Sequence, residues 1–294
     1  MRGNYLAVGV SQYGTFGTYQ DCPTAVCSWG SGTVTTGKLG LRQDQDGWGS
    51  GTVPTTGDFF IPGSPIFIWC VTYTIGGAGT NLCNNRGQPA EMAAVDMSST
   101  SDLTTKILGV KYEWGDANIK VDVVYSFHAC SKKIKVEAKI TNLNPATVTD
   151  PAFLISVDAD QDWPITGRAF DTVDTIQGQA SMAGSTYTSV CSSGPLSTIA
   201  VCMSSSAAKS YAYKGIPLNG FNVGAASRTT ILNNPTGVGI EGVTATTPAP
   251  SDKAIALVSY GANLAQNEQT GDLGMYFGMG NLDDVKMPGE QRCT

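Results

Sequence analysis

From Ile119 to Ile140 the chain alternates with a period of two residues. Ile119, Val121, Val123, Tyr125 and Phe127 are interleaved with Lys120, Asp122, Val124, Ser126 and His128, and then Ile134, Val136, Ala138 and Ile140 with Lys133, Lys135, Glu137 and Lys139. Successive side chains of a strand point to opposite faces, so each segment predicts a strand with one buried and one solvated face. Ile107 to Trp114 reads as a strand before them, closed by the turn Gly115-Asp116-Ala117-Asn118. Residues 105–141 therefore predict a three-stranded antiparallel meander. Pro151 to Val157 is more continuously apolar and delivers Asp158 to a strand end.

The remainder fits the same class. Charged residues are 14% of the chain and glycines number 35, the profile of many short strands joined by tight turns. Further strands are expected at 58–63 and 66–69 around a Pro-Gly turn, and at 198–203, 210–213, 254–260 and 272–279. Helix signals are weak: Ala262 to Gln269 predicts one or two turns, with Asn263 as cap. The expectation is an all-β chain, a large antiparallel β-sandwich with disulfide-stapled loops and little helix, folded as one domain over residues 1–294. Thr244 to Ser251, with two prolines, is the best candidate boundary.

Eight cysteines lack the paired C-x-x-C spacing and histidine partners of a zinc site, which leaves disulfides as the better explanation. Neighbouring positions pair most simply as Cys22–Cys27, Cys70–Cys83 and Cys191–Cys202, with Cys130–Cys293 left to close a long loop. Disulfides persist outside the cytoplasm, so the expected location is extracellular or on a cell or virion surface. Met1 to Tyr5 is not followed by the apolar run of a secretory leader. No segment approaches the ~20 apolar residues of a membrane span. A net charge of −6 argues against a nucleic-acid partner.

Two acidic phrases stand out: Asp44-Gln45-Asp46-Gly47-Trp48, and Asp158 with Asp160-Gln161-Asp162-Trp163. Alternating carboxylates repel unless a cation sits among them, and Ca²⁺ takes six to eight oxygens. Asp158, Asp160, Asp162, Asp44 and Asp46 are thus candidate Ca²⁺ ligands. Neither phrase is an EF-hand, because Thr55 and Ala169 occupy the twelfth loop positions. The plainer reading is polar turns in which Asp bonds local backbone. Trp48 and Trp163 follow the two phrases and, with Trp114, are candidate platforms for sugar rings. Filling the core is the simpler role for all three, and for Trp29 and Trp69.

Lys133 to Asp162 resembles part of the large β-sandwich shared by galactose mutarotases and other carbohydrate-active proteins. The resemblance rests on a strand of alternating apolar residues ending in the Asn-centred turn Ile140-Thr141-Asn142-Leu143-Asn144, followed by a strand leading to the site region. It covers about thirty residues and implies the fold. Catalysis of that kind needs His and Glu roles, and this chain has a single His.

That residue, His128, is the sole imidazole open to a Ser-His-acid group, and a strand-end histidine is more simply structural. No Gly-x-Ser-x-Gly elbow, phosphate loop or dinucleotide fingerprint is present. Glycoside hydrolysis needs only two carboxylates, for which Glu91, Glu113, Asp116, Asp158, Asp160 and Asp162 are candidates. Elimination on uronate polymers would want Tyr, Lys, Arg and His together, and no such cluster with Arg emerges. No residue is assigned as catalytic. The favoured reading is a structural or adhesive surface subunit that packs against copies of itself, with Ala254 to Tyr260 as an uncharged edge strand. The alternative is a carbohydrate-binding or carbohydrate-active module directed at surface glycans.

Overall fold

The computed structural model describes residues 1–17, 40–43, 47, 67–85, 96–102, 104–159, 172–179, 185–196, 198–216, 218–219, 222–223, 250 and 253–290. Among these residues seventeen strands run in the order β1 (Leu6–Val8), β2 (Leu41–Gln43), β3 (Phe67–Ile75), β4 (Ala78–Asn85), β5 (Asp96–Ser99), β6 (Ile107–Gly115), β7 (Ile119–His128), β8 (Lys133–Asn142), β9 (Val148–Val157), β10 (Val173–Gly178), β11 (Thr188–Ser193), β12 (Ala200–Ser205), β13 (Ser210–Ile216), β14 (Leu218–Asn219), β15 (Asn222–Val223), β16 (Ala254–Tyr260) and β17 (Met275–Gly280). One short helix among the described residues, α1 (Leu282–Val285), follows.

Two antiparallel sheets dominate. An eight-stranded sheet has the order β10-β11-β12-β17-β8-β7-β6-β5, and a five-stranded sheet the order β13-β16-β9-β3-β4. The alternation read from the sequence decides which side chains lie between them. Val121, Val123, Tyr125, Ile134, Val136 and Ala138 from the larger sheet share one apolar core with Phe67, Trp69, Phe153, Ile155, Ile255 and Leu257 from the smaller. Phe16, from the N-terminal segment, stacks on Phe67 at 4.4 Å and meets Tyr125 and Phe277 edgewise or tilted at 5.3 Å. Aromatic rings in such offset arrangements add to the stabilisation from buried area.

The meander β6–β7–β8 forms as expected. Asp116 Oδ1 accepts the N–H groups of Asn118 and Ile119 at 2.7 and 2.8 Å, which fixes the β6–β7 turn. The smaller sheet is apolar on both faces: Ile68, Cys70, Leu154, Ala256 and Val258 form a second buried cluster on its outer side. That is why β9 and β16 read as continuous apolar runs instead of alternating.

Two expectations need correction, and one element was not foreseen. Ala254–Tyr260 is not an edge strand, because β16 lies between β13 and β9; its lack of charge reflects burial on both faces. Residues 262–269 form no helix. Leu264 exchanges backbone hydrogen bonds with Val148, and the N–H groups of Asn267 and Thr270 reach the carbonyls of Asn142 and Ile140. These sheet contacts satisfy the backbone that a helix would have bonded internally. The helix seen among the described residues, α1, was not expected; its Val285 packs over Cys191 and Cys202 on the outer face of the larger sheet.

Both described disulfides are cross-strand links in register. Cys70 faces Cys83 across β3 and β4, and Cys191 faces Cys202 across β11 and β12. Cys130 is also disulfide-bonded. Cys22, Cys27 and Cys293 lie outside the described residues, as does the strand expected at 58–63.

Candidate functional site

The outer face of β6, β7, β8 and β17 carries most of the chemistry among the described residues. Residues 105–141 hold seven lysines against four acidic residues, in a chain whose net charge is −6. This meander is a basic region in an acidic protein.

At one end of the face is a cleft of about 390 Å³. Strand pairing builds its floor: Ile107 faces His128 across β6 and β7, Ser126 faces Lys135 across β7 and β8, and Lys135 faces Tyr276 across β8 and β17. Thr105 and Glu290 rim it, and Ser131 and Lys133 complete the polar lining. Lys133 is only 7% exposed, and its Nζ donates to the Met287 carbonyl at 2.9 Å, holding the segment after α1 against the cleft. Burial pushes the Lys133 pKa down, partly offset by the charge of Asp284. Lys135 donates to Glu137 Oε1 at 2.9 Å, which raises its pKa. The His128 Nδ1 lies 3.0 Å from Cys130 Sγ.

Further along the same face, Glu113 and Asp122 lie directly opposite one another across β6 and β7. Two facing carboxylates repel, and here two lysines separate them. Lys111 Nζ is 3.0 Å from Glu113 and 3.1 Å from Asp122, while Lys120 Nζ is 2.7 and 3.3 Å from the same two. Lys120 and then Lys111 bring the Glu113 pKa down to about 2. A glycosidase acid must keep its proton near neutral pH, which requires the opposite shift. Glu113 therefore serves the surface ion network. Asp116 is similarly committed, since beyond its turn bonds its Oδ2 accepts the Tyr73 hydroxyl at 3.2 Å.

Of the predicted Ca²⁺ ligands, Asp158 lies just past β9 and is 5% exposed. Asp160, Asp162, Asp44 and Asp46 lie outside the described residues, and so do Trp48, Trp163, Trp29 and Glu91. Among the described residues no group of three or more His, Cys, Asp and Glu side chains is placed to hold a metal. Trp114 is half-buried and packs against the core from the inner side of β6. Trp69 is fully buried, and its indole N–H donates to the Tyr13 carbonyl at 2.9 Å.

Sequence reasoning did not find the cleft. Its members come from positions 105, 107, 126–128, 131, 133, 135, 276 and 290, and only the tertiary fold joins them. A cue was available in His128, Lys133 and Lys135 all falling on the polar side of their strands. In comparisons with known proteins, no family model matches the chain and no curated protein matches it.

Proposed function

We propose that this chain is a structural subunit of an extracellular or surface assembly, a disulfide-stapled β-sandwich that pairs with copies of itself through β4. The observation that carries the reading is a contrast among the four outermost strands of the two large sheets. Unpaired strand edges invite foreign strands, and natural proteins guard them with charge, bulges or shortness. β5 is four residues long and includes Asp96. β10 contains Asp174 and a register irregularity between Ile176 and Gly178. β13 contains Lys214 and an irregularity between Tyr213 and Ile216, and the Gln179 side chain accepts the N–H of Ala212.

Among the described residues, the Ala78–Leu82 end of β4 carries none of these guards. The eight residues of β4, Ala-Gly-Thr-Asn-Leu-Cys-Asn-Asn, contain no charge and no proline, and its register with β3 is unbroken from Asn85 to Ala78. Ala78, Gly79 and Asn81 are exposed. Antiparallel pairing of two β4 strands about a two-fold axis would set each strand against its own copy. Such self-pairing brings like charges together in a charged strand and does not in this one. Disulfides are consistent with a location outside the cytoplasm. No described helix is long and apolar enough to cross a membrane.

Light scattering coupled to size-exclusion chromatography, across a wide concentration range, tests assembly. The expected result is a mass that rises above the monomer with concentration, and a shift back to monomer in Asn81→Lys. A wild-type chain that stays monomeric throughout, or an Asn81→Lys variant that assembles equally well, overturns the proposal.

A further inference from the structure

We propose that the cleft over β6, β7, β8 and β17 binds an acidic sugar, a pyranose ring carrying a carboxylate, with Lys135 and Lys133 directed at the acid and Tyr276 beside the ring. The site lies in the eight-stranded sheet, whereas β4 belongs to the five-stranded one. Sugar binding and assembly therefore stand independently.

Three features point to this ligand class. The first is charge. Lys133 and Lys135 sit two residues apart on one strand, so their stems leave the same face about 7 Å from each other. Both lysines line the cleft, Lys133 Nζ also donating to the Met287 carbonyl and Lys135 Nζ to Glu137, and an ammonium keeps further N–H donors with which a carboxylate in the cleft gains charge-assisted hydrogen bonds. The second is the opposite charge on the rim. Glu290 would repel a bare inorganic anion, but its carboxylate accepts hydrogen bonds from ring hydroxyls. A ligand that is both an acid and a polyol satisfies the two signs together. The third is the mixed surface between them. Ile107 and the Tyr276 ring offer apolar contact to the C–H face of a pyranose, while Ser126 and Thr105 supply hydroxyls. A cleft of about 390 Å³ suits one or two sugar residues.

The burial of Lys133 agrees with this arrangement. A cation whose pKa is already pushed down by lost hydration gains more from an incoming anion than an exposed one does. Lys133 also holds the Met287 carbonyl, so its replacement disturbs the fold as well as the cleft. Lys135 is the cleaner probe.

The test is calorimetric titration of the intact chain with trigalacturonic acid, its fully methyl-esterified form and sodium sulfate. Trigalacturonic acid is expected to bind, the neutral ester at least about tenfold more weakly, and sulfate not measurably. Lys135→Gln should weaken trigalacturonate by about tenfold or more, the loss expected for a hydrogen bond to a charged group. Lys111→Gln, on the same face but outside the cleft, should change it less than about twofold. Absence of trigalacturonate binding overturns the proposal. So does equal binding of the ester, sulfate binding as tight as the sugar acid, or equal losses in Lys135→Gln and Lys111→Gln. Circular dichroism of each variant confirms that a lost signal reflects the cleft and not unfolding.

Discussion

The Glu113 carboxylate shows how one residue records its surroundings. Its ordinary pKa of 4.5 falls to about 2 in the folded protein, so the folded state binds its proton more weakly than the unfolded chain does. A depressed carboxylate contributes stability that is fully present above the unfolded value and is lost as the pH falls through the folded one. The network is therefore expected to weaken between about pH 4.5 and pH 2. Urea midpoints measured across that window should fall more steeply for the wild type than for Glu113→Gln. High salt should flatten the difference, because the pairs are solvent-exposed. A second residue-scale contrast lies in the core. Tyr125 donates its hydroxyl to the Gly14 carbonyl at 2.7 Å, whereas the buried Tyr112 hydroxyl has no partner among the described residues. Removing a bonded hydroxyl costs about 1 to 2 kcal/mol, and removing an unbonded one is neutral or stabilising. Tyr125→Phe should therefore lower the unfolding free energy by about that amount, and Tyr112→Phe should not lower it.

Individual elements differ in how plainly the sequence announces them. β7 and β8 were legible to within two residues because each has one wet face, so a period of two is written directly into the residue order. The β3–β4 hairpin was only half legible. Its cysteine pair was inferred from proximity, but its turn was not, although Ile75-Gly76-Gly77-Ala78 carries a strong two-residue hairpin signal. Gly76 and Gly77 have φ of +58° and +84°, the left-handed values that such a turn demands. A Cβ at either position meets nothing within 4 Å, so only backbone strain opposes a side chain there. Gly76→Ala and Gly77→Ala should each cost about 1 to 2 kcal/mol by chemical denaturation. The 262–269 segment misled for the opposite reason: its helical propensity is local, while its hydrogen bonds are made to β8 and β9, far away in sequence. The cleft was illegible on the same account. Tyr276 and Lys135 are brought together by pairing between β17 and β8, across about half the chain, and no local pattern encodes that register.

At the scale of the whole molecule, the order of strands decides how the protein responds to being cut. The segment Thr244–Ser251, with two prolines, is the best boundary candidate in the sequence, and a boundary there would set the last 43 residues apart from those before it. The sheets cross that boundary twice. β16 follows it and is hydrogen-bonded between β9 and β13, and β17 follows it and is hydrogen-bonded between β8 and β12. Ile255 and Leu257 from β16, and Met275 and Phe277 from β17, enter the same core as the strands that precede the segment. A peptide-bond break there removes chain connectivity but none of these pairings, and the translational freedom gained opposes a large buried apolar surface. A site-specific protease sequence inserted after Thr247, cleaved in the folded protein, is therefore expected to yield two fragments that co-elute at the intact mass. They should separate only in denaturant, with one cooperative transition seen alike by far-ultraviolet circular dichroism and tryptophan fluorescence. Separation of the fragments in native buffer would show instead that the residues after the segment fold apart from those before it.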